Sequence, residues 1–173
     1  YFRFPFFMKT LRTLSSVLLF ICSALLTVQA QGGKAFLKEG DAFRKDGNLE
    51  KALEKYNLAV SVDPKLVKAF QARAEVNELL GKKLEVAQDR RRIALLEPGD
   101  ALFASEAARA YMEVDSPATA RTLCDLALAV DRKNMDALQT RTRACLALGD
   151  LDCAAQSSDA AIDLKGTTDT YYL

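Results

Sequence analysis

GKAFLKEGDAFRKDGNLEKALEKYNLAVSVDP, residues 33–64, reads as two short amphipathic helices joined by a turn. Between Lys34 and Lys45, Phe36, Leu37, Gly40 and Phe43 recur at helical spacing and form one apolar stripe. Asp46-Gly47-Asn48 breaks that helix, with Gly47 suited to a left-handed C-terminal cap. A second stripe runs through Leu49, Ala52, Leu53, Tyr56, Ala59 and Val60 and ends at Asp63-Pro64. Proline disfavours the helical conformation for the residue before it, so the second helix stops there. The small Gly40, Ala52 and Ala59 let the two helices approach closely, while Phe36, Phe43 and Tyr56 fill the space beside them.

Working outward, the same pattern returns every 34 residues. Gly40 leads to Ala74, Ala108 and Thr142, and Phe36 leads to Phe70, Ala104 and Leu138. Phe43 leads to Asn77, Tyr111 and Cys145, Ala52 to Val86, Ala120 and Ala154, and Ala59 to Ile93, Ala127 and Ala161. The turn residue Gly47 leads to Gly81, Asp115 and Gly149, and Pro98 repeats Pro64. Ser116-Pro117 reads as an N-cap followed by proline in the first turn, and Asp100 and Asn134 can cap the helices that open the third and fourth units. This period, with its alternation of small and large residues, resembles the tetratricopeptide repeat family over roughly Gly33 to Thr168. The resemblance implies an all-α fold, a right-handed α-solenoid of antiparallel helix pairs with repeats at 33–66, 67–100, 101–134 and 135–168. Some columns depart from the pattern. Asn77 and Arg90 stand where the first unit has Phe43 and Tyr56, and Cys124 and Ser158 continue the Tyr56 column. Arg132 and Gly166 continue the Pro64 column. Repeats tolerate such changes because neighbouring contacts share the stabilisation.

The ends of the chain carry their own signals. Met8-Lys9-Thr10-Leu11-Arg12 is basic, Val17 to Val28 is apolar, and Val28-Gln29-Ala30 before Gln31 has the small residues of a cleavage site. Together, residues 8–30 read as a secretory signal peptide, with an uncleaved signal-anchor helix as the alternative. The apolar run is shorter than the roughly 20 residues of a comfortable membrane span. Cys22 lacks the neighbouring small residues of a bacterial lipoprotein site, so no lipid anchor is expected. Residues 1–7 precede Met8 and read as an upstream extension. The Phe36 column continues to Tyr172, so residues 169–173 read as the start of a fifth repeat, and no polar capping face is visible. The expected location is exported: periplasmic or extracellular, or the endoplasmic-reticulum lumen in a eukaryote.

Charge argues against broad polyanion binding. Taking Arg3, Lys9 and Arg12 of the leader region from the 24 basic residues leaves 21 against 23 acidic ones, a net charge of −2. That balance gives no general attraction for nucleic acid or anionic lipid. Arg90-Arg91-Arg92 is the densest basic run, but consecutive helical residues point in different directions, and no aromatics are interleaved for base stacking. The chain has no histidine, which removes Ser-His and Cys-His pairs, histidine general bases and histidine metal ligands. No phosphate-cradling glycine motif and no nucleophile-elbow serine is present. The expectation is a non-enzymatic protein without cofactor or metal.

After the leader, three cysteines remain, Cys124, Cys145 and Cys153, in no paired metal-ligand spacing. Cys124 and Cys145 fall in core columns and read first as small buried apolar residues. Cys145 and Cys153 flank the Gly149-Asp150 turn on antiparallel helices, and export would permit a disulfide between them.

The resemblance also implies where function lies. In tetratricopeptide arrays the first helix of each unit lines an inner groove that binds an extended peptide or a partner helix. Carried onto this chain, the candidates in the first unit are Lys34, Leu37, Lys38, Asp41, Arg44 and Lys45. The second unit offers Lys68, Gln71, Ala72, Glu75 and Glu78, and the third Leu102, Ser105, Glu106, Arg109, Met112 and Glu113. The fourth offers Asp136, Gln139, Thr140 and Arg143. The alternative is that many of these form only a solvated helix face. Basic residues cluster in the first unit and acids follow in the second and third, which favours a partner of matching charge polarity. The carboxylate clamp of chaperone-binding members is absent, since its places read Leu37, Asp41, Ala72, Leu102 and Glu106. The leading expectation is an exported scaffold binding protein or peptide in the groove. Alternatives are the interaction arm of a larger exported enzyme or envelope-assembly protein, and a lumenal co-chaperone of the J-domain type. No His-Pro-Asp motif supports the last.

Overall fold

The computed structural model describes residues 32–169; the expected extension at 1–7, the leader at 8–30 and residues 170–173 of the expected fifth repeat lie outside the described residues. Among the described residues there are eight helices and no strand. They are α1 (32–45), α2 (Leu49–Val62), α3 (Val67–Leu79), α4 (Lys83–Leu96), α5 (Ala101–Glu113), α6 (Pro117–Val130), α7 (Met135–Ala147) and α8 (Leu151–Asp169). The sequence period reappears in the boundaries. Leu49, Lys83, Pro117 and Leu151 open the second helices, and Val67, Ala101 and Met135 open three of the first helices, each step being 34 residues. From α2 onward each helix packs on the next in sequence, and α5 also touches α7. The architecture is all-α, with sequential antiparallel helices packed as a tetratricopeptide superhelix.

One turn chemistry closes every first helix. Gly47, Gly81 and Gly149 have φ of 77°, 72° and 73°, and Asp115 in the same column has φ of 53°. The next residue's N–H reaches back to the first-helix carbonyl five positions earlier: Asn48 to Phe43, Lys82 to Asn77, Ser116 to Tyr111 and Asp150 to Cys145, at 2.8–2.9 Å. This pattern needs a left-handed residue, which glycine supplies without strain and aspartate tolerates. The expected caps at Asp100 and Asn134 form, accepting from the N–H groups of Leu102 and Ala137 at 2.9 Å. Ser116 is placed as expected, at the N-cap position before Pro117, but does not cap: its side chain makes no capping hydrogen bond. With ψ of 65° its backbone is short of the extended conformation that aims a cap side chain at the second or third helical N–H. Asn48, at a similar ψ of 79°, still caps Lys51 because its side chain is one atom longer.

The core is built on small residues. A cluster runs through Ala87, Ala104, Ala108, Ala120, Ala127, Ala137 and Ala144, with Tyr111, Leu123 and Cys124 filling the spaces between helices. Burial pushes the Cys124 thiol up to about 12. In the first two pairs Tyr56 is fully buried beside Ala52, Ala72 and Val76. A Cβ on Gly40 would lie 2.5 Å from Cε1 of Tyr56, so the close approach of α1 and α2 requires glycine there. The Tyr56 hydroxyl donates to Asp41 Oδ1 at 2.8 Å, and its pKa is raised by burial first and then by that bond. Phe36, Leu37 and Phe43 are only half-buried.

Polar bridges also follow the period. Arg73 on α3 donates through Nη1 to Asn57 on α2 at 2.9 Å, and through Nε and Nη2 to Asp89 on α4 at 3.0 and 2.5 Å. Two repeats later, Arg141 on α7 donates to Asp125 on α6 and Ser157 on α8, both at 2.7 Å. Between them, the equivalent positions hold Arg91, Ala107 and Leu123, and Ala107 and Leu123 are buried in the core instead. Asp89 is 2 % exposed, and desolvation raises its carboxyl above the ordinary aspartate value although Arg73 pulls the other way. Nearby Asn77, in the column of Phe43 and Tyr111, is buried with its Oδ1 unpartnered. At the C-terminal end Cys145 and Cys153 form a disulfide that ties α7 to α8, with Cα atoms 5.8 Å apart.

Candidate functional site

The sequence-expected groove residues stand on α1, α3, α5 and α7 and do not form one uniform surface. Lys34, Lys38, Lys45, Lys68, Glu75, Glu78, Leu102, Arg109, Asp136, Gln139 and Arg143 are exposed. Leu37, Asp41, Arg44, Gln71, Glu106 and Met112 are half-buried; Leu37 and Met112 pack against the core clusters. Ser105 and Thr140 are each 2 % exposed, and Ala72 is buried too. The Ser105 hydroxyl donates back to the Leu102 carbonyl, so it serves its own helix.

Two cavities gather residues of the second, third and fourth units and none of the first. The first, of about 350 Å³, is lined by Gln71, Ala74, Glu75, Glu78, Arg90, Ile93, Phe103 and Glu106. The second, of about 500 Å³, is lined by Arg109, Met135, Asp136, Gln139, Thr140, Thr142, Arg143, Ser158, Ala161, Ile162 and Lys165. They are the same place in different repeats. Stepping two periods from Gln71, Ala74, Glu75, Arg90 and Ile93 gives Gln139, Thr142, Arg143, Ser158 and Ala161.

Their electrostatics differ. Around the first cavity Glu75, Glu78 and Arg90 are paired within the chain, and Glu106 has no cation within 4.0 Å among the described residues. Arg44 pairs with Glu75 across α1 and α3, and Arg90 Nη2 donates to Glu78 Oε2 at 3.2 Å. In the second, among the described residues, Arg109, Arg143 and Lys165 have no carboxylate within 4.0 Å. The polar contact of Arg143 is a long one, 3.4 Å from Nη2 to the Thr140 hydroxyl. One column explains the contrast: Asp41, Glu75, Arg109 and Arg143, each 34 residues after the last, run acid, acid, base, base along the first helices.

Several lining residues come from second helices and lie outside the sequence expectation: Arg90, Ile93, Ser158, Ala161, Ile162 and Lys165. The signal that would have found four of them is the period itself, since Ser158 and Ala161 occupy the Arg90 and Ile93 columns. The arginine run disperses as expected. Arg90 meets Glu78, Arg92 donates to the Pro64 carbonyl at 3.1 Å, and Arg91 lies on another face beside Leu95 and Leu126. No helix among the described residues is long and apolar enough to cross a membrane.

Comparison with known proteins agrees with this geometry. A family model described as a TPR repeat matches residues 40–81, which hold the α1–α2–α3 junction. No curated protein sequence matches the chain. Among solved structures, a crystal structure of MamA superposes with a TM-score of 0.62 at 17 % identity, covering 86 % of this chain and 87 % of that one. MamA residues 41-end from Desulfovibrio magneticus RS-1 give 0.59 at 14 % identity, covering 79 % and 77 %. YrrB, described as a TPR protein with an unusual peptide-binding site, gives 0.58 at 15 % identity, covering 75 % and 66 %. At these identities the likeness shows the fold.

Proposed function

We propose that this protein is an exported, non-enzymatic scaffold that holds a protein segment, as extended peptide or helix, on the face made by α1, α3, α5 and α7. The observation that carries this reading is the pair of repeat-equivalent cavities on that face. They repeat at the spacing of the helix pairs, as a surface built to follow an extended ligand would. The second also holds three cations that no carboxylate of the described chain neutralises. Such groups interact more favourably with a charged ligand than with water once desolvated. YrrB, of similar fold, is described as having a peptide-binding site, which supports the same use of the architecture here.

Export rests on the leader pattern at residues 8–30, and the Cys145–Cys153 disulfide is in keeping with it. Disulfides persist in oxidising compartments and are rare where thiol reductants act. Two measurements test the reading. In-cell cross-linking with wild-type protein and with Arg109→Glu protein is expected to lose the partner in the variant. Retention of every cross-linked partner would show that this face is not the binding surface. The N-terminal mass of the protein from its native compartment is expected to begin at Gln31; a cytosolic protein that keeps residues 8–30 would remove export from the account.

A further inference from the structure

The charge along the first helices changes sign from one end to the other. The column Asp41, Glu75, Arg109, Arg143 places acids on α1 and α3 and arginines on α5 and α7. The acidic half is already occupied by this chain: the Tyr56 hydroxyl donates to Asp41, and Arg44 pairs with Glu75. The basic half is open. Arg109 and Arg143 are exposed on two helices that touch, and both line the 500 Å³ cavity together with Lys165. One acid, Asp136, shares that lining, so the cavity carries excess positive charge. Ile162, Met135 and Ala161 give it an apolar floor, and Ile162 is 62 % exposed.

Resting on the reading of this face as the binding surface, we infer that the α5–α7–α8 cavity takes an extended acidic protein segment. Its carboxylates lie about three residues apart and flank an apolar side chain. The spacing follows from the helices. Neighbouring packed helices lie about 8–10 Å apart, which sets the scale for the step from Arg109 to Arg143. An extended polyproline-type segment rises about 3.1 Å per residue and returns to the same face every third residue, so carboxylates three apart sit about 9 Å apart. Each can accept two parallel N–H bonds from one guanidinium, a geometry that lysine cannot supply. An apolar side chain on the adjoining edge of the same segment then meets Ile162 and Met135. Charge complementarity selects an acidic segment over a basic or neutral one of the same shape.

The test uses the full chain and two short fluorescein-labelled peptides carrying a photoreactive group. One has Glu at every third position with Leu between, and the other has Gln at every Glu. Fluorescence anisotropy is expected to show the Glu peptide binding at least about tenfold more tightly than the Gln peptide. Added salt should weaken the Glu peptide and leave the Gln peptide nearly unchanged. The pair Arg109→Gln and Arg143→Gln should erase the preference, while Lys51→Gln, exposed on α2 and outside both cavities, should keep it. Equal affinity for the two peptides, or no measurable binding of the Glu peptide, overturns the inference. The photo-adducts separate the two failures. Equal binding with adducts on α5 and α7 removes the acidic ligand and leaves the binding face in place. Adducts on α6 around Leu126 remove both.

Discussion

The two halves of the groove are built from the same unit and handle charge in opposite ways. In the first half Arg44, Glu75, Glu78 and Arg90 pair with one another, and the helices are held together by contacts that a ligand would have to break. In the second half Arg109, Arg143 and Lys165 line the cavity with no carboxylate within 4.0 Å among the described residues. Their helices are instead held by apolar packing, by the Arg141 bridge to Asp125 and Ser157, and by the disulfide between α7 and α8. The contrast teaches a division of labour. Where neighbouring helices carry opposite charges they pair across the face, and where the column turns basic the arginines are left without an ion pair among the described residues.

The sharpest way to break this comparison is to remove what holds the first half. Tyr56→Ala takes a fully buried ring out from beside Gly40 and should cost about 3–5 kcal/mol, measured by urea unfolding. Arg73→Ala should cost nearly as much, about 3–5 kcal/mol at neutral pH, because it leaves Asp89 buried and unpaired. The sign of its pH dependence is fixed by Asp89, whose folded pKa is already raised above the unfolded value by desolvation. A raised carboxyl favours the folded state at low pH and loses that contribution as pH rises through the folded pKa. The penalty of Arg73→Ala should therefore shrink in acid, as Asp89 takes up a proton. A penalty that grows in acid would mean that Asp89 is not the group left exposed to the change. Arg91→Ala, at the equivalent place in the bridge between repeats two and three, should change stability by less than about 0.5 kcal/mol.

The second half should respond most to reduction. Opening Cys145–Cys153 releases a short loop closed over a sequence separation of 8 and should cost about 2–3 kcal/mol. In hydrogen exchange the loss should be concentrated in α7 and α8, which carry Gln139, Arg143 and Lys165. Uniform loss across α2 and α3 would contradict the division between the halves. Small as well should be the effect of Glu75→Gln, which breaks an exposed pair with Arg44 and should cost only about 0.2–1 kcal/mol. Its interest lies in binding: freeing Arg44 makes the first half more basic. The affinity for an acidic peptide should rise or stay level, and a fall would show that the peptide depends on the Glu75 carboxylate itself.

Much of the fold was legible because its signals are local. Gly47, Gly81, Asp115 and Gly149 are required by one backbone geometry that only a few residue types adopt, and Gly40 by the ring of Tyr56. Asp100 and Asn134 announced helix starts through side chains that reach their own backbone. Ser116 misled for a local reason too, since its shorter side chain fails at the backbone angle where Asn48 succeeds. The bridges at Arg73 and Arg141 were not legible. Their partners change identity from Asn57 and Asp89 to Asp125 and Ser157, so no single residue type marks the column. The lining of the two cavities was half legible. First-helix residues such as Gln71, Glu75, Arg109, Gln139 and Arg143 do line the cavities, and so does Thr140 although it is nearly buried, while Ser105 turned inward. Lys165 and Ile162 lie on a second helix and enter through packing, which the pattern of one helix does not show.

The most direct test of the account is site-specific photo-cross-linking in the native host, with a photoreactive amino acid at Gln139 in one strain and at Leu126 in another. Gln139 lines the open cavity, and Leu126 is exposed on α6 beside Arg91 and Leu95. The account predicts a discrete partner adduct from Gln139 that disappears with Arg143→Glu, and none from Leu126. A partner trapped from Leu126 and absent from Gln139 would place binding on the opposite face and contradict it.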